Sequence, residues 1–465
     1  VALTPEDLIA MGAALFPAVV AALMLVMQST VPAEWETGTV QQHLDRAAPW
    51  DTVTVPSGIH RECLVIDRPV VLQGAPGAVI EGNCEGRVVT VRSPATIREL
   101  AIRHSGSNLA EEDAGIWATG APGLTVEDCV LEDVLFGIYL KQSDDALIRG
   151  NVIVGKRIAV PRRGDGIRLW YSQRGRIEHN RLTGVRDLVI WFSDSAVVRH
   201  NVVQDSRYGL HYMYSDHSRF EDNRFLHNEV GGFLMYSTDI TFERNVFAEA
   251  RGVLGKGLGF KDAERIDARN NLLVGNAVGI FLDNSPHSVG TFNRFSDNTF
   301  AFNDVAVGLL PSVARNRFVH NAFVNNGTPA TVSGGGNALA NTWSSNYWSD
   351  YVGFDTNHDG VGDAPFVFDR ITDALVARHE DLGLFRASPA METLTLIGRI
   401  LPALRPQPIV IDSTPRMASP VTGPAREPAP AAPVPRWPGA LLIALAGGAA
   451  AAGYRWSRPR RVASS

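Results

Sequence analysis

Three cysteines in 465 residues are too few for the disulfide framework of a small secreted scaffold. Positive charge is also short: 43 Lys and Arg stand against 49 Asp and Glu, a net charge of -6 at pH 7. A chain without excess cation cannot displace the counterions of a polyanion, so DNA and RNA are poor partners. Charged residues make up only 20% and hydrophobic residues 45%, which excludes a disordered chain and allows a large core. Length alone suggests about three domains, a prior that a short repeat overrides.

Long apolar runs are confined to the two ends. Leu8 to Met27 is uncharged and long enough to cross about 30 Å of hydrocarbon, making residues 1–35 a signal sequence or an N-terminal anchor. Acidic Glu6 and Asp7 precede this run and Val31-Pro-Ala33 offers a small-residue cleavage site, so both outcomes stay open. Trp437 to Trp456 reads as a transmembrane helix. Arg458, Arg460 and Arg461 hold the tail, 457–465, in the cytoplasm by the positive-inside rule. Residues 414 to 438 hold eight prolines, an extended tether over 414–436. The chain between is expected to be periplasmic or otherwise extracytoplasmic, tied to the inner membrane by its C-terminal helix.

The interior repeats. One phrase recurs at Gly137 to Ser143, Gly166 to Ser172, Asp187 to Ser193, Gly209 to Ser215, Gly231 to Ser237 and Gly279 to Ser285, with a degenerate copy ending at Ala263. Eight residues after each closing position stands an asparagine: Asn151, Asn180, Asn201, Asn223, Asn245, Asn271 and Asn293. Most spacings are 21 or 22 residues; two longer ones mark insertions at Val154 to Asp165 and Ala250 to Lys256. A period near 22 with β-rich phrases predicts an all-β, right-handed parallel β-helix over 36–345, its coils stacked about 4.8 Å apart. The asparagines then form a column that satisfies backbone groups at a tight turn in left-handed geometry, a structural role.

Alternation along the phrase assigns faces. The third and fifth positions before the serine are apolar and point inward. The second and fourth point to water: Lys141, Trp170, Trp191, Met213, Met235, Lys261 and Asp283 in one column, and Tyr139, Arg168, Val189, His211, Phe233, Gly259 and Phe281 in the other. Aromatic and thioether side chains on a wet sheet suggest a docking patch, with Trp170, Trp191 and Phe233 its candidate residues. The chain has seven methionines, and the two in the repeat, Met213 and Met235, share a column one coil apart. Two thioethers on adjacent rungs suit a soft cation, Cu(I), held transiently with His211 as a more distant third ligand. Docking and copper handling are compatible. For Tyr171, Phe192, Tyr214 and Tyr236, inward stacking is expected.

Beyond the coils, Asp355, Asn357, Asp359 and Asp363 occupy loop positions 1, 3, 5 and 9 with Gly360 at 6, a spacing that wraps Ca²⁺. Position 12 is Phe366 rather than Glu, so the site is a weak Ca²⁺ loop or a metal-free turn within a cap at 346–370. Cys63 and Cys84 are one coil apart, either a disulfide or two thiols, with Cys129 left over. His179 and His200 read as a surface turn pair. Glycosidic chemistry needs opposed carboxylates, and no such pair meets on the outward columns, so no catalytic residue is assigned. A carbohydrate-active enzyme and a passive surface solenoid remain as rivals.

The phrases Arg207-Tyr-Gly-Leu-His-Tyr-Met-Tyr-Ser215 and Gly279-Ile-Phe-Leu-Asp-Asn-Ser-Pro286, with Val65 to Gly74, Asn346-Tyr-Trp348 and the helical stretch Asp381 to Pro408, resemble the NosD family of nitrous oxide reductase maturation proteins. The likeness spans about residues 40 to 412. It implies a non-enzymatic β-helix seated on an ABC transporter of permease and ATPase. It also implies transfer of copper from a membrane-anchored chaperone to apo nitrous oxide reductase. By that likeness His211, Met213 and Met235 are candidate copper-handling positions, Trp170 and Trp191 candidate docking positions, and the tail over 371–413 a helical partner-binding element. The proline tether and transmembrane end depart from the family pattern.

Overall fold

The computed structural model describes residues 38–419, apart from 253, 370, 386, 387 and 402–406. The segment 1–35, most of the proline tether, the expected transmembrane helix 437–456 and the basic tail lie outside the described residues. Among the described residues, no helix is long and apolar enough to cross a membrane.

Each coil contributes one strand to each of three sheets. Sheet I has thirteen strands, from Thr52–Val55 to Thr342–Ser344; sheet II has thirteen, from Gly58–Arg61 to Tyr347–Trp348; sheet III has twelve, from Leu64–Ile66 to Thr328–Val332. Neighbours within a sheet are third neighbours in sequence and pair in parallel, as Val198 does with Phe220 and Phe220 with Phe242. This is a parallel β-helix of the right-handed type with about 13 turns, the expected class. The inward column of the repeat is fully enclosed: Leu140, Leu169, Ile190, Tyr212, Leu234, Phe260 and Leu282 are all buried. On the other inner walls phenylalanines stack coil on coil, Phe220 on Phe242 at 4.7 Å and Phe225 on Phe247 at 5.0 Å between ring centroids. Such stacks join dispersion to burial along the rod axis.

The asparagine column forms as the spacing predicts and runs further. In each step the Oδ1 of one asparagine accepts both the backbone N–H and the Nδ2 of the asparagine one coil earlier: Asn201 donates to Asn223 at 3.0 and 2.9 Å, and Asn223 to Asn245 at 3.0 Å twice. Two details differ from expectation. Asn271 continues to Asn298 rather than Asn293, which starts a separate column through Asn316 to Asn341. The left-handed residue is the one before the asparagine, as at His200 (φ 57°) and Asp222 (φ 54°), because the turn must swing the amide inward.

Both ends of the coil stack are closed. Helix α1 (Val40–Arg46) begins with a capping box of Thr39 and Gln42 and buries Val40 and Leu44 against the first coil. At the far end the asparagine column passes through Asn321 and Asn346 and stops at Asp412, whose Oδ2 accepts from Asn346 N and Nδ2 and from Trp348 Nε1 at 2.9, 3.0 and 3.1 Å. Asp412 arrives on the strand Val410–Asp412, antiparallel to Phe366–Phe368. The tail expected to be a helical partner-binding element is therefore mixed. Helix α2 (Ile371–Arg378), a 3₁₀ turn (Glu380–Phe385) and helix α3 (Pro389–Ile400) precede a strand that belongs to the cap.

Cys63, Cys84 and Cys129 are free thiols. Between the paired residues Arg61 and Leu64 lie two residues, whereas between their partners Glu81 and Val89 lie seven, so the turns carrying Cys63 and Cys84 differ in course. Cys63 Sγ meets Asn83 Oδ1 at 4.0 Å instead of a second sulfur. Cys129 is sealed in the core, where burial pushes its thiol up to about 12.

Two predictions follow from the ladders. Asn223→Ala leaves Asn201 N without its acceptor, while Asn201 Nδ2 keeps the carbonyls of Ile177 and Arg199, and a buried unpaired polar group costs ~1–3 kcal/mol; chemical denaturation should show a loss of about 2 kcal/mol, and a loss well below about 1 kcal/mol would deny the column a cohesive role. On the surface, the Arg265 hydrogen bond holds Asp239 below the usual carboxylate range, and Arg269 does the same for Glu243. These depressed carboxyls contribute stability above their unfolded values and lose it as pH falls through the lower folded ones. Denaturation midpoints should therefore hold from neutrality to about pH 5 and drop below about pH 4, with Arg265→Met reducing the drop.

Candidate functional site

The outer face of sheet III is not uniformly open. Over its early coils the segments carrying Leu109 and Ile158 fold back on a small cluster of Ala114, Trp117, Leu135, Phe136 and Tyr139. Glu112 pins this cover by accepting from Trp117 Nε1 and Tyr139 Oη, each at 2.9 Å. Tyr139, expected to face water, is consequently buried, as is Val189. The open part of the face begins at Trp170.

From there the expected column holds its register. Trp170 pairs with Trp191, Trp191 with Met213, Met213 with Met235, Met235 with Lys261, and Lys261 with Asp283. Trp170, Trp191, Met213 and Met235 all point outward and are half-buried. The Trp170 and Trp191 rings lie 5.5 Å apart, and the guanidinium of Arg168 sits 4.7 Å from the first and 5.0 Å from the second. In the parallel column His211 pairs with Phe233, and Phe233 with Gly259. A Cβ on Gly259 would stand 2.4 Å from the Phe233 ring, so glycine there lets the ring lie flat on the sheet.

Charge gathers where the sheet III strands begin. Asp165 and Asp187, on adjacent coils, are both enclosed. Asp165 accepts from Arg186 at 3.0 Å and Arg168 at 3.3 Å. Asp187 accepts from Arg207 Nε at 3.0 Å, from Arg207 Nη2, from Tyr208 N at 3.2 Å, and shares a contact of 3.1 Å with His211 Nδ1. Burial drives both carboxyls upward. At Asp165 that effect wins; at Asp187 the hydrogen bonds from His211 and Arg207 overcome it and hold the group below the usual range. Sequence reasoning missed this network. The signal was there, since Asp187 is the one copy of the phrase that opens with an acid instead of glycine.

The column Tyr171, Phe192, Tyr214 and Tyr236 points outward, not inward. These residues adopt left-handed φ near 50°, which turns them away from the core, and their rings stack at 4.7, 5.1 and 4.8 Å with planes within 8°. Trp170 meets Phe192 edge-on at 5.5 Å, so ladder and Trp–Met column form one continuous patch. His179 and His200 stack at 4.7 Å on the exposed asparagine turn, as expected.

The acidic loop is closed on itself. Asp355 accepts from Asp359 N and Gly360 N at 3.2 and 2.9 Å, Asn357 donates to Asp359 at 3.0 Å, and Asp363 accepts from Thr356 N at 2.8 Å. Among the described residues, no three His, Cys, Asp or Glu side chains converge on a metal-sized space. The donor set of His211, Met213 and Met235 lies outside that chemistry and is suited to a soft monovalent cation.

An elongated β-helix with a partly covered sheet and a polarised aromatic–thioether patch defines the class of protein. Residues 151–353 match the family model described as periplasmic copper-binding protein (NosD). Over 390 residues the chain is 30% identical to the "Probable ABC transporter binding protein NosD" of Pseudomonas aeruginosa, covering 80% of this chain and 89% of that one. A protein of the same description from Stutzerimonas stutzeri is 27% identical, covering 79% and 86%. The chain belongs to the NosD family. Among solved structures it is similar to a GH87 α-1,3-glucanase from Streptomyces thermodiastaticus (18% identity, TM-score 0.47, 69% of this chain and 64% of that one). It is also similar to the Azotobacter vinelandii mannuronan C-5 epimerase AlgE4 A-module (14%, TM-score 0.45, 65% and 94%).

Proposed function

We propose that this chain is a periplasmic, non-enzymatic accessory of an ABC transporter that relays Cu(I), as cargo, from a membrane-anchored chaperone to apo nitrous oxide reductase. The family description and the names of its relatives support the compartment, the metal and the transporter. The observation that carries the copper step is the register of Met213 on Met235 beside His211. Thioethers on neighbouring strands stand about 4.8 Å apart, a span that flexible methionine side chains close around one ion. Two of the three ligands, Met213 and Met235, are only half-buried, and a small, partly open ligand set favours release over retention, as a relay requires.

The aromatic ladder and Trp170 with Trp191 form the docking ground for a copper-carrying partner. The tail supplies a second contact: Leu384 and Phe385 on the 3₁₀ turn and Leu396, Ile400 and Leu401 at α3 are exposed, apolar side chains fit for a permease. A carbohydrate-active enzyme is the rival, favoured by Asp165, Asp187, Arg168 and His211 lying near one another. Against it, both carboxyls are enclosed and saturated by arginine. Within the ladder the rings of Phe192 and Tyr214 also have both faces spent on their neighbours, which leaves only their edges for a sugar.

The purified chain should bind Cu(I) in competition with a chromophoric chelator under reducing conditions, and Met213→Leu with Met235→Leu should weaken that binding at least tenfold while leaving the fold intact. Unchanged affinity in the double variant would remove the site. Turnover of a uronate polymer, abolished by Arg168→Ala, would instead establish the rival.

A further inference from the structure

The position that opens each sheet III phrase is normally glycine for a steric reason. A Cβ on Gly209 would lie 2.3 Å from the carbonyl oxygen of Gly231, and one on Gly231 equally close to that of Gly257. Asp187 occupies this position with a full side chain. It is tolerated because the ladder slips there: Asp187 pairs with Tyr208, while Val189 pairs with His211, a register irregularity of the kind that re-aims side chains. The slip brings Asp187 against Tyr208 N and the His211 ring.

His211 is held on three sides. Its Nδ1 faces Asp187 Oδ2 at 3.1 Å, its face stacks on Tyr208 at 4.8 Å, and Trp191 stands edge-on at 4.9 Å and 89°. A carboxylate only accepts hydrogen bonds, so in the neutral ring Nδ1 carries the hydrogen and Nε2 keeps its lone pair. Histidines that ligate metals characteristically have such a carboxylate behind them, fixing tautomer and ring orientation.

We propose that Asp187 is a positioning residue: it locks His211 in the tautomer that offers Nε2 to Cu(I) beside Met213. This rests on the copper reading, but its first readout does not need copper. Long-range ¹H–¹⁵N correlation spectra of the histidine-labelled chain, with His211 assigned by His211→Gln, should show the Nδ1–H form in the wild type and a mixture in Asp187→Asn. Cu(I) affinity, measured by chelator competition, should fall about 10- to 100-fold in Asp187→Asn, the usual effect of losing such a partner. It should fall no further when Asp187→Asn is added to His211→Ala, and Asp187→Glu should restore part of it. A wild-type ring in the Nε2–H form, or an Asp187→Asn variant with unchanged tautomer and affinity, would overturn the proposal. Should Asp187→Asn fail to fold, the wild-type tautomer decides. A wild-type chain with the expected tautomer that takes up no Cu(I) would sink the copper relay and leave the Asp187–His211 orientation standing.

Discussion

Parallel pairing between coils is the constraint on which everything else in the molecule depends. Because each strand pairs in register with the strand one coil later, a residue's neighbour on the surface is fixed by a repeat of about 22 residues and not by local sequence. The same geometry that stacks Asn201, Asn223 and Asn245 inside stacks Trp191, Met213 and Met235 outside. Inside it yields cohesion, since identical amides complement each other. Outside it yields chemistry, since like donors gather at one spacing.

The columns were legible in the sequence because each is strictly periodic and the inward positions are apolar in nearly every copy. What was not legible came from residues outside the period. Tyr139 is buried because Glu112, in an excursion between coils, ties down a cover that no repeat encodes. The Tyr171 ladder was misassigned because alternation assumes extended backbone, and one left-handed residue at the corner reverses the direction of the side chain. Cys63 and Cys84 have the right separation for adjacent rungs, yet unequal turns divert them.

The candidate site followed the same division. Met213, Met235, His211, Trp170, Trp191 and Phe233 sit on one sheet face as read, because they are members of the repeat. Asp187, Arg207 and Tyr208 escaped notice because their contacts depend on a ladder slip that shifts pairing by one residue. Breaks in a periodic sequence are therefore as informative as the period: the acid standing where sister copies carry glycine marks the place where the solenoid departs from pure architecture.

The closed ends carry a consequence of their own. A stack of parallel coils presents, at each terminus, a full set of unpaired main-chain groups able to recruit another molecule and grow into a fibre. Here α1 blocks one terminus, and at the other Asp412 takes the amide hydrogens that a further asparagine would have received. A carboxylate has no hydrogen to pass on, so the relay of donors halts there and the asparagine column has no donor to offer a further coil.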